Sequence, residues 1–293
     1  MSTRDHYPHG VPCFVDTLTA DLEAAHRFYA GVFGWSFAGP GQMPGDPPGE
    51  YWVAQVEGHD VAGIGSLPPG AAAGAWNTHI AVDRVDEAAV RVASAGGRVL
   101  AGPFDAPPAG RLAVAQDPAG AVFVLWEPGA RQGAARVNEP SAWAMSLLST
   151  DDGERARGFY GDVFGWQAEP FAGTRGMWLW RLPGYVGGEP EQPVPRDVVA
   201  VMAVGEPGEV RPGWAVDFWI ADADAAAAAA PGLGGDVLAA PHEEGKFRRA
   251  VLADPAGATF SVSELLMAAY VRPSGAGASP TPASRARRSP QPP

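Results

Sequence analysis

Two ionisable residues, Asp16 and His79, lie inside predicted β-strands, at residues 12–18 and 76–82. A carboxylate and an imidazole can exchange protons with a substrate near neutral pH. If the fold brings them together, the pair could serve as acid and base in a metal-free lyase, isomerase or cyclase. The structural alternative is a hydrogen-bonded, half-buried His79 and an Asp16 that accepts from a backbone N–H. The sequence leaves both interpretations open.

The other histidines and the one cysteine do not suggest a reactive site. The remaining histidines fall in the N-terminal segment, on a predicted helix or in predicted loops, with no metal-binding spacing: His6, His9, His26, His59 and His242. Cys13 should point to the opposite side of its strand from Phe14, which predicts a small core residue. A single cysteine excludes an internal disulfide and is typical of the reducing cytoplasm, where we expect the protein to act.

The elements that must position Asp16 and His79 repeat along the chain. Three segments recur at nearly the same offset: 28–35 (FYAGVFGW) as 159–166 (FYGDVFGW), 96–100 (GGRVL) as 234–238 (GGDVL), and 117–121 as 254–258, both DPAGA. A recurrence at one offset indicates a duplicated domain rather than a stray motif. Each half, of about 130 residues, is large enough to form a core of its own.

Hydrophobic periodicity predicts an α+β fold with two βαβββ units in each half. The predicted helices cover residues 21–34, 86–95, 152–164 and 222–230, and a Gly/Pro-rich loop is expected at 38–50. These patterns predict a flexible N-terminus at 1–10, domains at 11–127 and 141–268, a linker at 128–140 and a disordered tail at 269–293.

Composition excludes several classes of function. Apolar residues make up 46% of the chain, but no apolar run approaches the roughly 20 residues of a membrane span, so we expect no membrane partner. The net charge of −12 repels phosphate backbones, which argues against a nucleic-acid partner. Residues 1–10 contain no apolar stretch of the kind that marks a secretory signal.

Three features carry a resemblance to a known family: the four βαβββ units, the repeated helix segment at 28–35 and 159–166, and the Asp-Pro-Ala-Gly turns at 117–120 and 254–257. Together they resemble the vicinal oxygen chelate superfamily, which includes glyoxalase I, bleomycin-resistance proteins and extradiol dioxygenases. The resemblance implies two tandem glyoxalase-like domains, in which each pair of units closes a curved sheet around a cavity. In that family four His, Gln or Glu side chains often hold a divalent metal in the cavity. The resemblance places these positions at Phe14, Asn77 and Val124 in one half and at Met145, Ala215 and Ser261 in the other. Such side chains ligate a divalent ion poorly, so we expect no metal and no other cofactor.

The same positions suggest what lines the two cavities. Because strand side chains alternate, Asp16 shares the face of Phe14, His79 that of Asn77, and Trp126 that of Val124. Asp217 and Trp219 follow Ala215 in the same way. The expected ligand-binding residues are Phe14, Asn77, Trp126, Met145, Asp217, Trp219, Trp178 and Trp180, with Asp16 and His79 as the candidate catalytic pair.

Aromatic residues are the most informative excess, with ten tryptophans in 293 residues. Aromatic walls bind flat ligands by stacking and burial of area. High Ala, Gly, Pro and Arg usage is typical of a high-GC actinobacterial source, where proteins of this type occur among antibiotic-biosynthesis genes. The resemblance therefore implies metal-independent binding of an anthracycline-like antibiotic or aromatic polyketide, either helping a tailoring oxygenase or conferring self-resistance. We expect a monomer or a homodimer.

The tail should be dispensable, because Pro, Ser and Ala with scattered Arg offer no apolar face that could dock. Truncation after Tyr270 should leave the melting temperature nearly unchanged in a thermal unfolding experiment. A drop of several degrees would show that the tail packs on the body.

Overall fold

A computed structural model describes residues 3–43, 48–71, 74–187 and 195–266. The expected tail lies outside the described residues. None of the described helices is long and apolar enough to cross a membrane.

The first half contains two βαβββ units. In chain order the elements are β1 (Pro12–Thr19), α1 (Leu22–Phe33), β2 (Ser36–Met43), β3 (Gly49–Val56), β4 (His59–Ser66), β5 (Trp76–Ala81), α2 (Val85–Ser94), β6 (Arg98–Ala106), β7 (Gly110–Gln116) and β8 (Val122–Pro128). All eight strands form one sheet in the order β2-β3-β4-β1-β5-β8-β7-β6. The central pair, β1 and β5, is antiparallel and joins the two units.

The second half repeats the plan. Its elements are β9 (Trp143–Thr150), α3 (Gly153–Phe164), β10 (Gln167–Pro170), β11 (Met177–Arg181), β12 (Val198–Val204), β13 (Gly213–Trp219), α4 (Ala223–Ala229), β14 (Asp236–Glu244), β15 (Phe247–Ala253) and β16 (Thr259–Leu265). The sheet order is β10-β11-β12-β9-β13-β16-β15-β14, the same as in the first half. The predicted fold of four βαβββ units in two curved sheets is confirmed.

Helix α1 begins and ends where its sequence predicts. The Asp21 carboxylate accepts a hydrogen bond from the backbone N–H of Ala24, and Gly34 ends the helix in the left-handed conformation at φ 72°. The prediction of a loop at 38–50 is wrong in part, because β2 occupies Ser36–Met43 despite its glycines and proline. As the edge strand, β2 tolerates Pro40, whose missing N–H can face away from the sheet.

The helices pack between the two sheets, so each hydrophobic core is built from both halves. One cluster joins α1 to α4 and to β16, where Phe28 contacts Phe260 with ring centroids 6.2 Å apart. The other joins α3 to α2 and β8, where Phe159 lies 6.1 Å from Phe123. The expectation that each half has a core of its own is therefore wrong.

The three repeated segments meet at this shared interface. The Tyr29 hydroxyl on α1 donates to Asp254 of the second DPAGA turn (3.0 Å), and Tyr160 on α3 donates to Asp117 of the first (3.1 Å). Close approach requires the repeated glycines as well. A Cβ on Gly97 would lie 2.7 Å from the Phe159 ring, and one on Gly235 would lie 2.4 Å from the Phe28 ring.

Removing either tyrosine hydroxyl should destabilise the whole chain, because it leaves a buried carboxylate of the other half without one of its donors. Tyr29→Phe and Tyr160→Phe should each lower the free energy of unfolding by about 1–3 kcal/mol in denaturant titration. Tyr185→Phe is the matched control, since the Tyr185 hydroxyl accepts from Arg4 at a partly buried site and should cost less than about 0.5 kcal/mol. Loss of stability in the control alone would contradict this account of the interface.

Candidate functional site

The sheet face turned away from the helices brings the predicted residues of the first half together. Strands β5 and β8 lie side by side next to β1, and their registers pair Phe14 with His79, Asp16 with Asn77, and His79 with Val124. We call this surface the first cup, defined by Phe14, Asp16, Asn77, His79, Val124 and Trp126. Asp16 and His79 are 6% and 5% exposed, so their contacts are made away from bulk water.

Asp16 is the centre of the first cup. Its Oδ1 accepts from the Asn77 side-chain amide (2.9 Å) and its Oδ2 from the Tyr51 hydroxyl (2.9 Å), while Nε2 of His79 lies 3.0 Å from Oδ2. Burial raises the pKa of this carboxyl, but the His79 imidazole and the hydrogen bonds from Asn77 and Tyr51 outweigh burial and leave the pKa below its usual value. Asp16 is therefore an ionised acceptor at neutral pH.

His79 stands between two aromatic rings. Phe14 meets the imidazole edge-on at a centroid distance of 5.7 Å, and Trp126 meets it at 6.1 Å. Nε2 lies 3.0 Å from Oδ2 of Asp16, but the approach falls outside the angles of a good hydrogen bond. Among the described residues Nδ1 has no hydrogen-bond partner. Packing between the two rings holds the imidazole in place.

Tyr51 belongs to this site, although sequence reasoning missed it. It lies on β3, two strands from β1, and only the register that pairs Tyr51 with Gly65 shows that it faces the cup. Burial and the Asp16 carboxylate raise the pKa of Tyr51 well above its usual value, so its hydroxyl keeps the proton that it donates. The alternating Gly63 and Gly65 of β4 were the available signal, since glycine in a strand often marks a close approach.

The corresponding surface of the second half, which we call the second cup, consists of Met145, Ala215, Asp217, Trp219 and Ser261, and it differs from the first cup in charge and exposure. Asp217 accepts from the hydroxyls of Ser261 (2.5 Å) and Ser263 (2.8 Å). Burial raises the pKa of Asp217 above its usual value, although Arg249 and both serines act in the opposite direction. Met145 is partly exposed, whereas its counterpart Phe14 is buried. The two cups thus present different chemistry.

Trp178 and Trp180 do not line the second cup, which corrects the expectation drawn from their shared face. Trp180 is fully buried against Tyr160 of α3, with ring centroids 5.7 Å apart. Trp178 carries the guanidinium of Arg157, also on α3, over its ring at 4.7 Å. The alternation of side chains tells which residues share a face but not which face meets the helices. Trp219 does share the face of Asp217, in register with Ser263.

The residues of the two cups do not fit the divalent metal that the fold family often holds. Phe14 and Val124 have no donor atom, and both oxygens of Asp16 already accept hydrogen bonds. Within the described ranges no three His, Cys, Asp or Glu side chains come close enough together to hold an ion. A Zn²⁺ or Fe²⁺ site needs three or more such ligands.

Comparison with known proteins agrees with this fold. The model of the glyoxalase-like domain family matches residues 13–126 and again 145–263. The chain is 39% identical over 271 residues to "Putative glyoxylase CFP32" of Mycobacterium tuberculosis (strain CDC 1551 / Oshkosh), covering 89% of this chain and 97% of the relative. It is 35% identical over 270 residues to the anthracycline biosynthesis protein DnrV of Streptomyces peucetius, covering 87% and 94%.

A solved structure shares the architecture at low sequence identity. The Mn(II)-bound glyoxalase of Novosphingobium aromaticivorans superposes with a TM-score of 0.58 at 18% identity, covering 89% of this chain and 84% of that one. Since the family model covers most of both halves and the relatives match nearly end to end, the chain belongs to the glyoxalase-like domain family of the vicinal oxygen chelate superfamily.

Proposed function

We propose that this protein binds a planar hydrophobic small molecule in the first cup without a metal ion. The observation that carries the proposal is the make-up of that cup. Phe14 and Trp126 flank His79, and Asp16 supplies one buried, ionised acceptor beneath them. Aromatic rings around a few fixed polar groups are typical of small-molecule sites, in which apolar burial gives affinity and polar groups give orientation.

The relatives support a role in secondary metabolism. DnrV and DauV are named as anthracycline biosynthesis proteins, and both align with most of this chain. We infer that the ligand is an antibiotic or an aromatic polyketide intermediate or product. Holding such a molecule would help a tailoring oxygenase by presenting the intermediate or removing the product, or would give self-resistance by sequestering the compound.

A second candidate function is a metal-free lyase, isomerase or cyclase that uses Asp16 and His79. The Asp16 carboxylate lies 3.0 Å from Nε2 of His79, and Nδ1 has no partner among the described residues, so the imidazole has a nitrogen available for proton transfer beside a carboxylate. Both ring nitrogens are buried, so a substrate would have to enter the cup to reach them.

Elemental analysis tests the metal-independence of the protein directly. Because the family ligand positions carry Phe14, Asn77 and Val124, the purified protein should contain far less than one Zn, Ni, Fe or Mn per chain. About one equivalent of any of these metals, removable by a chelator with loss of ligand binding, would contradict the proposal.

Removing the Trp126 ring should lower ligand affinity more than a change to any polar group of the first cup other than Asp16. Trp126→Ala should cost a planar aromatic ligand about 2 kcal/mol or more, from lost area and ring contact, as measured by calorimetric titration. Trp178→Ala is the matched control, since that ring lies under Arg157 on the helix side, and the affinity should stay within about 0.5 kcal/mol of wild type. Equal losses in the two variants would show that the ligand does not bind in the first cup.

His79→Gln separates binding from catalysis. A binding protein should lose at most about 1 kcal/mol of ligand affinity, the value of an ordinary hydrogen bond. An acid–base enzyme should instead keep its affinity and lose roughly 10²–10⁴ in turnover rate. If the isolated protein converts its ligand and His79→Gln abolishes that conversion at unchanged affinity, the binding role is wrong and the enzyme role replaces it.

A further inference from the structure

The Tyr51 side chain lies over β4 beside the first cup, and two glycines of that strand leave the space that it occupies. A Cβ on Gly63 would lie 2.0 Å from the Tyr51 hydroxyl oxygen, and one on Gly65 would lie 2.9 Å from Cδ2 of the same ring. The flat ring therefore lies directly on the backbone of β4, and its hydroxyl reaches Asp16 at 2.9 Å. The sheet thus contains a slot that has the shape of a phenol, with an ionised acceptor at its end.

Among the described residues this arrangement occurs in the first half alone, although the second half has the same strands in the same order. The register pairs Tyr51 with Gly65 in the first sheet and Met177 with Ala203 in the second. Asp16 pairs with Gly63 in the first sheet, and at the corresponding place in the second sheet Leu147 pairs with Val201. The ring, the acceptor and both bare backbone positions are replaced together in the second half. A slot whose parts are present or absent as a set suits one shared role better than four separate packing roles.

Resting on the proposed function, we propose that Tyr51 occupies the place of a ligand hydroxyl. The ligand is then a flat aromatic molecule with a phenolic or enolic O–H, which displaces Tyr51 and donates to Asp16 in its stead. Tyr51 is partly exposed and packs against the edge of a core cluster, so we expect its ring to swing outward when the ligand enters.

The exchange of one phenol for another makes the slot selective. A hydroxylated ligand restores the hydrogen bond that Tyr51 gives up, and a further fused ring buries additional apolar area along β4, where Leu18 and Met43 lie at Gly65. An aromatic ligand without the hydroxyl leaves the buried carboxylate of Asp16 short of a donor, which is the situation that binding sites reject most strongly. Hydroxylated and bare ligands of one shape should therefore differ by about tenfold or more in affinity.

The first test empties the slot and refills it. Tyr51→Ala should bind p-cresol, which is the missing side chain itself, at least about tenfold more tightly than toluene, and p-cresol should raise the melting temperature of this variant but not of wild type. Met177→Ala, which removes the equivalent side chain of the second half, is the matched control and should show no preference for p-cresol. Equal binding of p-cresol and toluene by Tyr51→Ala would overturn the proposal.

The second test keeps the fold intact if the alanine variant does not fold. Tyr51→Phe retains the ring but has no hydrogen bond to Asp16 to be broken, so 2-naphthol should bind this variant about tenfold more tightly than it binds wild type. Naphthalene should bind both forms more weakly than 2-naphthol does. If Tyr51→Phe weakens 2-naphthol binding or leaves it unchanged, Tyr51 is a wall of the site or has no part in it, and the proposal is wrong.

These outcomes separate this inference from the proposed function. If 2-naphthol and naphthalene bind wild type equally well and Trp126→Ala weakens both, planar-ligand binding stands and the displacement of Tyr51 is overturned. If neither binds wild type or Tyr51→Phe while Tyr51→Ala still prefers p-cresol, the phenol slot is supported and the binding of larger planar ligands in the first cup is overturned.

Discussion

The rest of this structure depends on the docking of the two halves, in which each of the two shared cores contains a buried hydrogen bond, from Tyr29 to Asp254 or from Tyr160 to Asp117. Each joins the helix motif of one half to the turn motif of the other. Burial raises the pKa of both aspartates, while the tyrosine hydroxyls and the backbone N–H groups of the turns act against that rise. Each of these carboxylates accepts hydrogen bonds from both halves, so the folding of one half depends on the other. The repeated helix segment and the repeated turn therefore meet at the interface in both copies.

This docking decides where a ligand site can form. The shared cores cover the helix-facing sides of both sheets and contain most of the buried aromatic residues. Trp76 packs against Phe218, and Trp214 donates to the Tyr160 hydroxyl at 3.0 Å. What remains is the opposite face of each sheet, where Trp126 and Trp219 lie. The residues of the two cups differ, and Asp16 in one cup corresponds to Leu147 in the other.

Sequence alone predicts the fold well here, because the three repeated segments reveal the duplication and hydrophobic periodicity reveals the elements. The segments recur because they make equivalent contacts across the interface between the halves. Strand alternation also puts Asp16 and His79 on the same side of the sheet, and their side chains do lie together, 3.0 Å apart. It fails for Trp178 and Trp180, because alternation along a strand cannot tell which face meets a helix. It misses Tyr51 because the contact with Asp16 depends on the register across β4, which no local pattern encodes. The shared cores were missed for a similar reason, since duplication does not reveal which copy of a helix packs on which sheet.

The central claim is that a flat, hydroxylated aromatic molecule binds over Gly63 and Gly65 with its oxygen on Asp16. A crystal structure of the protein with 2-naphthol tests this most directly. The account predicts the naphthol oxygen within hydrogen-bonding distance of the Asp16 carboxylate, the rings on the backbone of Gly63 and Gly65, and the Tyr51 side chain turned out of the cup. Naphthol found in the second cup, or found in the first with Tyr51 still bonded to Asp16, would contradict it.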